Sequence, residues 1–93
     1  MEHKKVLKEF TVTDGRKIML DICDKSCEPF GFRPGDKIMT SSDLIATVRG
    51  LGPSNDGDLA LFYELERVPG KVCYFGGCRD LRKAGFRKIE DEA

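Results

Sequence analysis

Apolar and polar residues alternate most regularly near the middle of the chain. Leu59, Leu61, Tyr63 and Leu65 alternate with Ala60, Phe62, Glu64 and Glu66, the period of two that a β-strand gives its two faces. The same rhythm sets Ile18, Leu20 and Ile22 against Lys17, Met19 and Asp21, and Val6, Phe10 and Val12 stand among polar residues just before them. Between these two runs lies Thr13-Asp14-Gly15-Arg16. Asp-Gly between alternating runs predicts a type I′ hairpin turn, with positive φ at both central positions. Strands over 6–12 and 17–22 are therefore expected to pair antiparallel.

Five short apolar runs follow between residues 31 and 89: GFRPGDKIM, IATVRGLG, LALFYELE, KVCYFGGC and GFRKI. Each is bounded by glycine, proline or aspartate, the punctuation of a small twisted β-barrel. Asp24 is placed to cap one helical turn through Glu28, which Pro29 then ends. Pro34-Gly35 suits the centre of a type II turn and opens a strand over Asp36 to Thr40. In the next strand Leu44, Ala46 and Val48 share one face and Ile45, Thr47 and Arg49 the other, and Gly50 and Gly52 allow a bend or a close backbone contact. Pro53 to Asp58 reads as a loop and Val72 to Phe75 as a short strand. Cys78 to Lys83 is expected to make one or two helical turns, stopped by Gly85. Phe86 to Ile89 forms the last strand and residues 90–93 a disordered acidic tail.

Length and charge narrow the picture. The chain has 93 residues, 40 % of them hydrophobic, enough for one domain with one modest core. Sixteen basic and sixteen acidic residues give zero net charge, without the strongly positive balance of a typical nucleic-acid binder. MEHKKVLKEF has no uninterrupted apolar stretch, so neither a signal peptide nor a membrane span is expected there. An intracellular, cytoplasmic chain with no membrane partner is the expectation.

In order, strand, turn, long apolar strand, short strand, helical turn and closing strand resemble the SH3-like small barrels. Gly35-Asp36-Lys37-Ile38, Thr47-Val48-Arg49 and Tyr74-Phe75 are similar to the outline of CAP-Gly domains over about 60 residues. The chain lacks that family's GKNDG loop, because Gly70-Lys71 is followed at once by Val72. Across most of its length the chain also resembles an SH3-like repeat of unassigned function from protozoan multidomain proteins. Cys27, Phe30-Gly31-Phe32, Arg33, Gly35-Asp36, Ala46-Thr47-Val48, Gly50, Asp80-Leu81-Arg82 and Gly85-Phe86 carry that likeness. The resemblance implies a scaffold module and brings no catalytic residues.

Candidate chemistry is sparse. Cys23-x3-Cys27 and Cys73-x4-Cys78 have spacings that let paired thiolates share a zinc ion. Neither pair has the two-residue spacing of a zinc knuckle, and the favoured alternative is four reduced thiols acting as small hydrophobes, with no cofactor. His3 is the sole histidine, so no Cys-His nucleophile is expected, and the chain is read as no enzyme. Basic residues gather late, at Lys71, Arg79, Arg82, Lys83, Arg87 and Lys88, beside aromatics that offer a stacking surface to nucleic acid. The acidic tail competes with that patch. Phe62 and Tyr63, like Tyr74 and Phe75, must point to opposite faces. An aromatic remainder exposed beside the Ser54–Asp58 loop would form a peptide groove. The expected function is a non-catalytic protein-interaction or scaffold module whose partner the sequence does not name, the alternative a nucleic-acid-binding barrel.

Overall fold

The computed structural model describes residues 5–75 and 80–89. The strands among them are β1 (Leu7–Thr11), β2 (Lys17–Asp21), β3 (Lys37–Met39), β4 (Ile45–Pro53), β5 (Leu59–Leu65), β6 (Cys73–Tyr74) and β7 (Arg87–Lys88). One helical turn, α1 (Asp24–Cys27), runs into a 3-10 turn over Glu28–Phe30. The fold is mainly β, as the alternation predicts. Among the described residues no helix is long and apolar enough to cross a membrane.

β1 and β2 pair antiparallel, with Leu7 opposite Asp21 and Thr11 opposite Lys17. Their connection differs from the expected type I′ turn. Gly15 has φ +95° but Asp14 is not left-handed; Gly15 N donates to Val12 O at 2.8 Å and Val12 N to Arg16 O at 2.7 Å. This is a three-residue loop in which only the last position needs positive φ. Asp14 contributes its carboxylate instead, accepting from Arg16 N at 2.9 Å. The β4–β5 loop repeats the pattern, with Gly57 N donating to Ser54 O at 3.0 Å and Ser54 N to Asp58 O at 2.7 Å.

The connector also departs in detail. Asp24 is the first residue of α1 and not its cap; Cys23 holds the cap position without a side-chain bond. Asp21 Oδ1 does the local work by accepting from Cys23 N at 3.0 Å and Val6 N at 3.1 Å. The Pro34-Gly35 turn forms as expected, with Gly35 at φ +94° and Asp36 N donating to Arg33 O at 3.1 Å.

β4 organises the sheet. It pairs with β3 through Ile45–Thr47, with β2 at Leu51, and with β5 along most of its length. Between Val48 and Gly50 the β4–β5 register slips by one, leaving Arg49 as a bulge. A bulge exchanges the faces beyond it, so Leu51 is buried although it lies an odd number of residues after Val48. The expected close contact at the glycines is present: a Cβ on Gly50 would lie 2.8 Å from Asp21 O, and one on Gly52 2.5 Å from Leu20 Cδ2.

The strand order is β1-β2-β4-β3-β7, with β5 on the other edge of β4 and β6 beyond it. The sheet does not close: among the described residues no ladder joins β6 to β7. The barrel expected over 31–89 is thus an open antiparallel sheet, because β6 and β7 hold only two residues each. A single parallel bridge between Val12 and Val72 links the first hairpin to the start of β6. Before β7, Gly85 at φ +101° ends a pair of turns, with Gly85 N donating to Arg82 O and Phe86 N to Leu81 O, the bond pattern of a Schellman stop. The expected beginning of that helical segment at Cys78 and the expected tail at 90–93 lie outside the described residues.

Two apolar clusters result among the described residues. The larger gathers Phe30, Phe32, Ile38, Val48, Leu81 and Phe86 with Leu61 and Tyr63 of β5. The smaller consists of Val12, Leu20, Phe62 and Val72. β5 faces both.

Candidate functional site

Two tight loops and one tyrosine build a pocket. The Val12–Arg16 loop and the Ser54–Asp58 loop face each other, and Arg16 Nη2 donates to Asn55 Oδ1 at 3.2 Å across the gap. The same guanidinium is held by Asp14, with Nε 2.7 Å from Oδ2, and Arg16 draws the Asp14 carboxyl below its usual range, the backbone N–H contributing most. Asn55 N donates to the Tyr74 hydroxyl at 3.0 Å, which ties the second loop to β6. Between them lies a cavity of about 330 Å³ lined by Val12, Ile18, Pro53, Phe62 and Tyr74, with Arg16, Lys17, Ser54 and Asn55 as its polar parts.

The expected peptide groove divides into two faces. Phe62 and Tyr74 are cross-strand partners with ring centroids 5.1 Å apart, beside the Ser54–Asp58 loop. Tyr63 and Phe75 belong to the opposite face, each packed edge-on against Phe86, at 5.5 and 5.3 Å. The four aromatics therefore do not line one surface. Phe62 and Tyr63 are both buried, at 1 % and 6 % exposure, so neither is a free anchor; the first hairpin covers the face of β5 that a bare barrel would leave open. Tyr74 remains half-buried and Phe75 exposed.

The late basic residues are also divided. Arg82, Arg87 and Lys88 line a cleft of about 610 Å³ together with Arg33, over Phe32 and Phe86. Arg82 is engaged by Asp80 at 3.0 Å and Lys88 by Asp36 at 3.6 Å, and the Arg82 side chain holds the Asp80 carboxyl below its usual range. Glu28 lies on the same cleft. Lys71 and Lys83 are exposed but do not line it, and Arg79 falls outside the described residues.

Three of the four cysteines are described, and all three are free thiols. Cys27 is fully buried, its thiol facing Asp21 O at 3.6 Å, and burial pushes it up to about 12. Cys73 sits opposite Tyr63 across β5 and β6, and burial raises its thiol and the Tyr63 hydroxyl alike. Cys23 is half-buried. Desolvation disfavours the thiolate that a metal or an electrophile would need. Among the described residues no three histidines, cysteines or carboxylates converge on a metal position; Cys78 lies outside them.

Arg16, Asn55 and Ile18 are pocket residues that sequence reasoning missed. Their signal is the pair of equal-length Gly-ended loops, Thr13-Asp14-Gly15 and Asn55-Asp56-Gly57, which bring loop ends of matching shape to one side of the sheet. The pocket can receive an apolar or aromatic group beneath a hydrogen-bonding, basic rim. Comparison of the chain with protein-family models, curated proteins and solved structures found no match.

Proposed function

We propose that the chain is a non-catalytic, SH3-like protein-interaction module whose pocket between the Val12–Arg16 and Ser54–Asp58 loops receives an apolar or aromatic side chain of an extended peptide. The observation that carries this reading is the convergence of Phe62, Tyr74, Ile18 and Pro53 on one cavity whose rim holds Arg16, Lys17 and Asn55. Concave apolar sites with a few oriented polar groups are how proteins hold side-chain-sized ligands. The SH3-like part is supported by the run β7-β3-β4-β5-β6 within the sheet and by the turn before β7. Titration of an isotope-labelled sample with a peptide library, followed by amide shifts, tests the proposal. Binding is expected to move Asn55 and Ile18 and to weaken in Tyr74→Ala; shifts confined to other surfaces would end it.

A second reading is favoured by one observation, the gathering of Arg33, Arg82, Arg87 and Lys88 on one cleft above two phenylalanines. It takes the domain as a binder of single-stranded nucleic acid, with Arg33 and Arg87 supplying cations that no described carboxylate pairs. Under it, Arg33→Glu with Arg87→Glu abolishes binding, and each lost phosphate contact lowers the salt slope by about 0.7. Salt-independent binding would exclude this reading.

A further inference from the structure

The outer edge of β1 is open. Ile22 N donates to Val6 O and Val12 N to Arg16 O, and the intervening register turns the amides of Lys8 and Phe10 inward to β2. The N–H and C=O groups of Leu7 and Glu9 therefore face away from β2. Among the described residues neither amide donates to another segment, and the edge is next occupied only at Thr11, whose carbonyl accepts from Val72 N. Beside this edge lie three exposed apolar side chains, Val6 at 48 %, Leu7 at 57 % and Met19 at 48 %. Leu7 and Met19 line a mainly apolar groove of about 410 Å³ with Lys5 at its rim. This face of the hairpin is opposite the one that carries Ile18 into the aromatic pocket.

We infer that this edge pairs with the same edge of a second copy of the chain, in the antiparallel register that sets Leu7 opposite Leu7 of the other copy. In that register the groups of Leu7 and its symmetry mate exchange both hydrogen bonds, and Lys5 of each copy stands opposite Glu9 of the other. Lys5, Leu7 and Glu9 alternate with Val6 and Lys8 and so share the face that carries Met19. The seam then has Leu7 of both copies at its centre and an ion pair at either end, where Met19 of β2 lies across from Glu9. Val6 meets Lys8 of the other copy on the reverse face.

Charge selects this register. Centring the two-fold axis on Lys8 sets Lys8 against Lys8, and centring it on Glu9 sets Glu9 against Glu9; like charges directly opposite are destabilising. The present alternatives for these groups are weak. Among the described residues Lys5 makes no ion pair, and Glu9 pairs with Lys17 alone, at 4.0 Å between exposed side chains. A symmetric contact of this kind is self-limiting, since each copy uses its one open β1 edge. Its area is that of one short strand pair, well under the roughly 1,600 Å² of a standard stable interface, so association is expected at high protein concentration.

Sedimentation equilibrium from about 10 µM to 1 mM, the range where a contact of this size reports, tests the inference on the full chain. The expected result is a reversible monomer–dimer equilibrium with slowed exchange of the Leu7 amide in the dimer. Glu9→Lys should weaken it by about tenfold or more, as repulsion replaces attraction at both ends. The double exchange Lys5→Glu with Glu9→Lys should restore it to within about threefold. Both substituted positions are exposed, and unchanged circular dichroism confirms that the variants fold. A monomer throughout the range, a dimer indifferent to Glu9→Lys, or a double variant no tighter than the single one would each overturn the inference. Pairing of this edge with a foreign strand while the chain stays monomeric would overturn it as well.

Discussion

Asp43 is, among the described residues, the one non-glycine with positive φ, at +65°. It occupies the position that Gly15 and Gly57 hold in the two other three-residue loops, since Thr40 N donates to Leu44 O and Asp43 N to Thr40 O. Thr40 compensates: its buried hydroxyl accepts from Ser42 N at 3.2 Å and Leu44 N at 3.1 Å. Asp43→Gly is expected to stabilise the fold by about 0.5–1 kcal/mol, the strain relieved less the added freedom of the unfolded chain. Thr40→Val should cost about 1–2 kcal/mol by removing that acceptor. Urea midpoints measure both, and a destabilised Asp43→Gly would show that the carboxylate has a role beyond the turn. Glu64 supplies a pH-dependent counterpart. Its carboxylate accepts from Gly70 N at 2.9 Å and from Arg49 Nε at 2.9 Å, and these bonds, the Gly70 N–H first, lower it from 4.5. A carboxyl lowered in the folded state stabilises above its unfolded value, and the contribution disappears as pH falls through the folded one. Glu64→Gln should therefore cost about 1 kcal/mol at neutral pH and nothing well below pH 4.5; an equal loss at both ends would refute the charge argument.

At the scale of elements, the bulge in β4 decides what the sequence could reveal. Alternation from Leu44 to Val48 assigns the faces correctly, with Ala46 and Val48 buried, and the strands and loops follow from turn residues and period. Nothing in the alternation marks Arg49 as the extra residue, because the faces exchange inside a run that reads smoothly through glycine. The burial of Phe62 was illegible for a related reason: its partners Val12, Leu20 and Val72 come from segments far apart in sequence, and no local pattern states that they meet. Alternation places one of Phe62 and Tyr63 and one of Tyr74 and Phe75 on each face without saying which two share a face. The β5–β6 register that joins Phe62 to Tyr74 is not written in either run, and Arg16 and Asn55 meet only because two loops of equal length face each other. Beyond the bulge, Gly50 and Gly52 let β2 approach β4, and their substitutions separate two kinds of crowding. The Cβ of Gly52→Ala meets the end of the Leu20 side chain, which can turn aside. That of Gly50→Ala meets Asp21 O at 2.8 Å, backbone fixed by the β2–β4 pairing. Both should destabilise within the roughly 1–3 kcal/mol of overpacking, with Gly50→Ala the worse despite the longer distance. Thermal unfolding of the two variants checks the order, and the reverse order would mean that β2 shifts more easily than Leu20 repacks.

Across the whole molecule, β5 joins two apolar clusters that would otherwise be separate. Leu61 and Tyr63 pack into the larger and Phe62 into the smaller, so consecutive residues of one strand depend on both. The Val12–Val72 bridge adds a backbone tie between the first hairpin and β6, with Thr13 N donating to Val72 O at 3.0 Å and Val72 N to Thr11 O at 2.8 Å. Loss of the hairpin would expose Phe62 on a strand that still had to hold Leu61 and Tyr63 in place, a state with much of the ordering cost and little of the burial. The two clusters should consequently unfold together. Leu20→Ala, in the smaller cluster, and Ile38→Ala, in the larger, both truncate fully buried side chains and should each cost about 2–5 kcal/mol. In urea both are expected to lower the midpoint while leaving the slope at its wild-type value, since the surface exposed on unfolding is the same. If Leu20→Ala instead produced a biphasic transition, or a reduced slope absent from Ile38→Ala, the hairpin would be an independently melting flap. The aromatic pocket, whose wall it forms, would then exist only in part of the folded population.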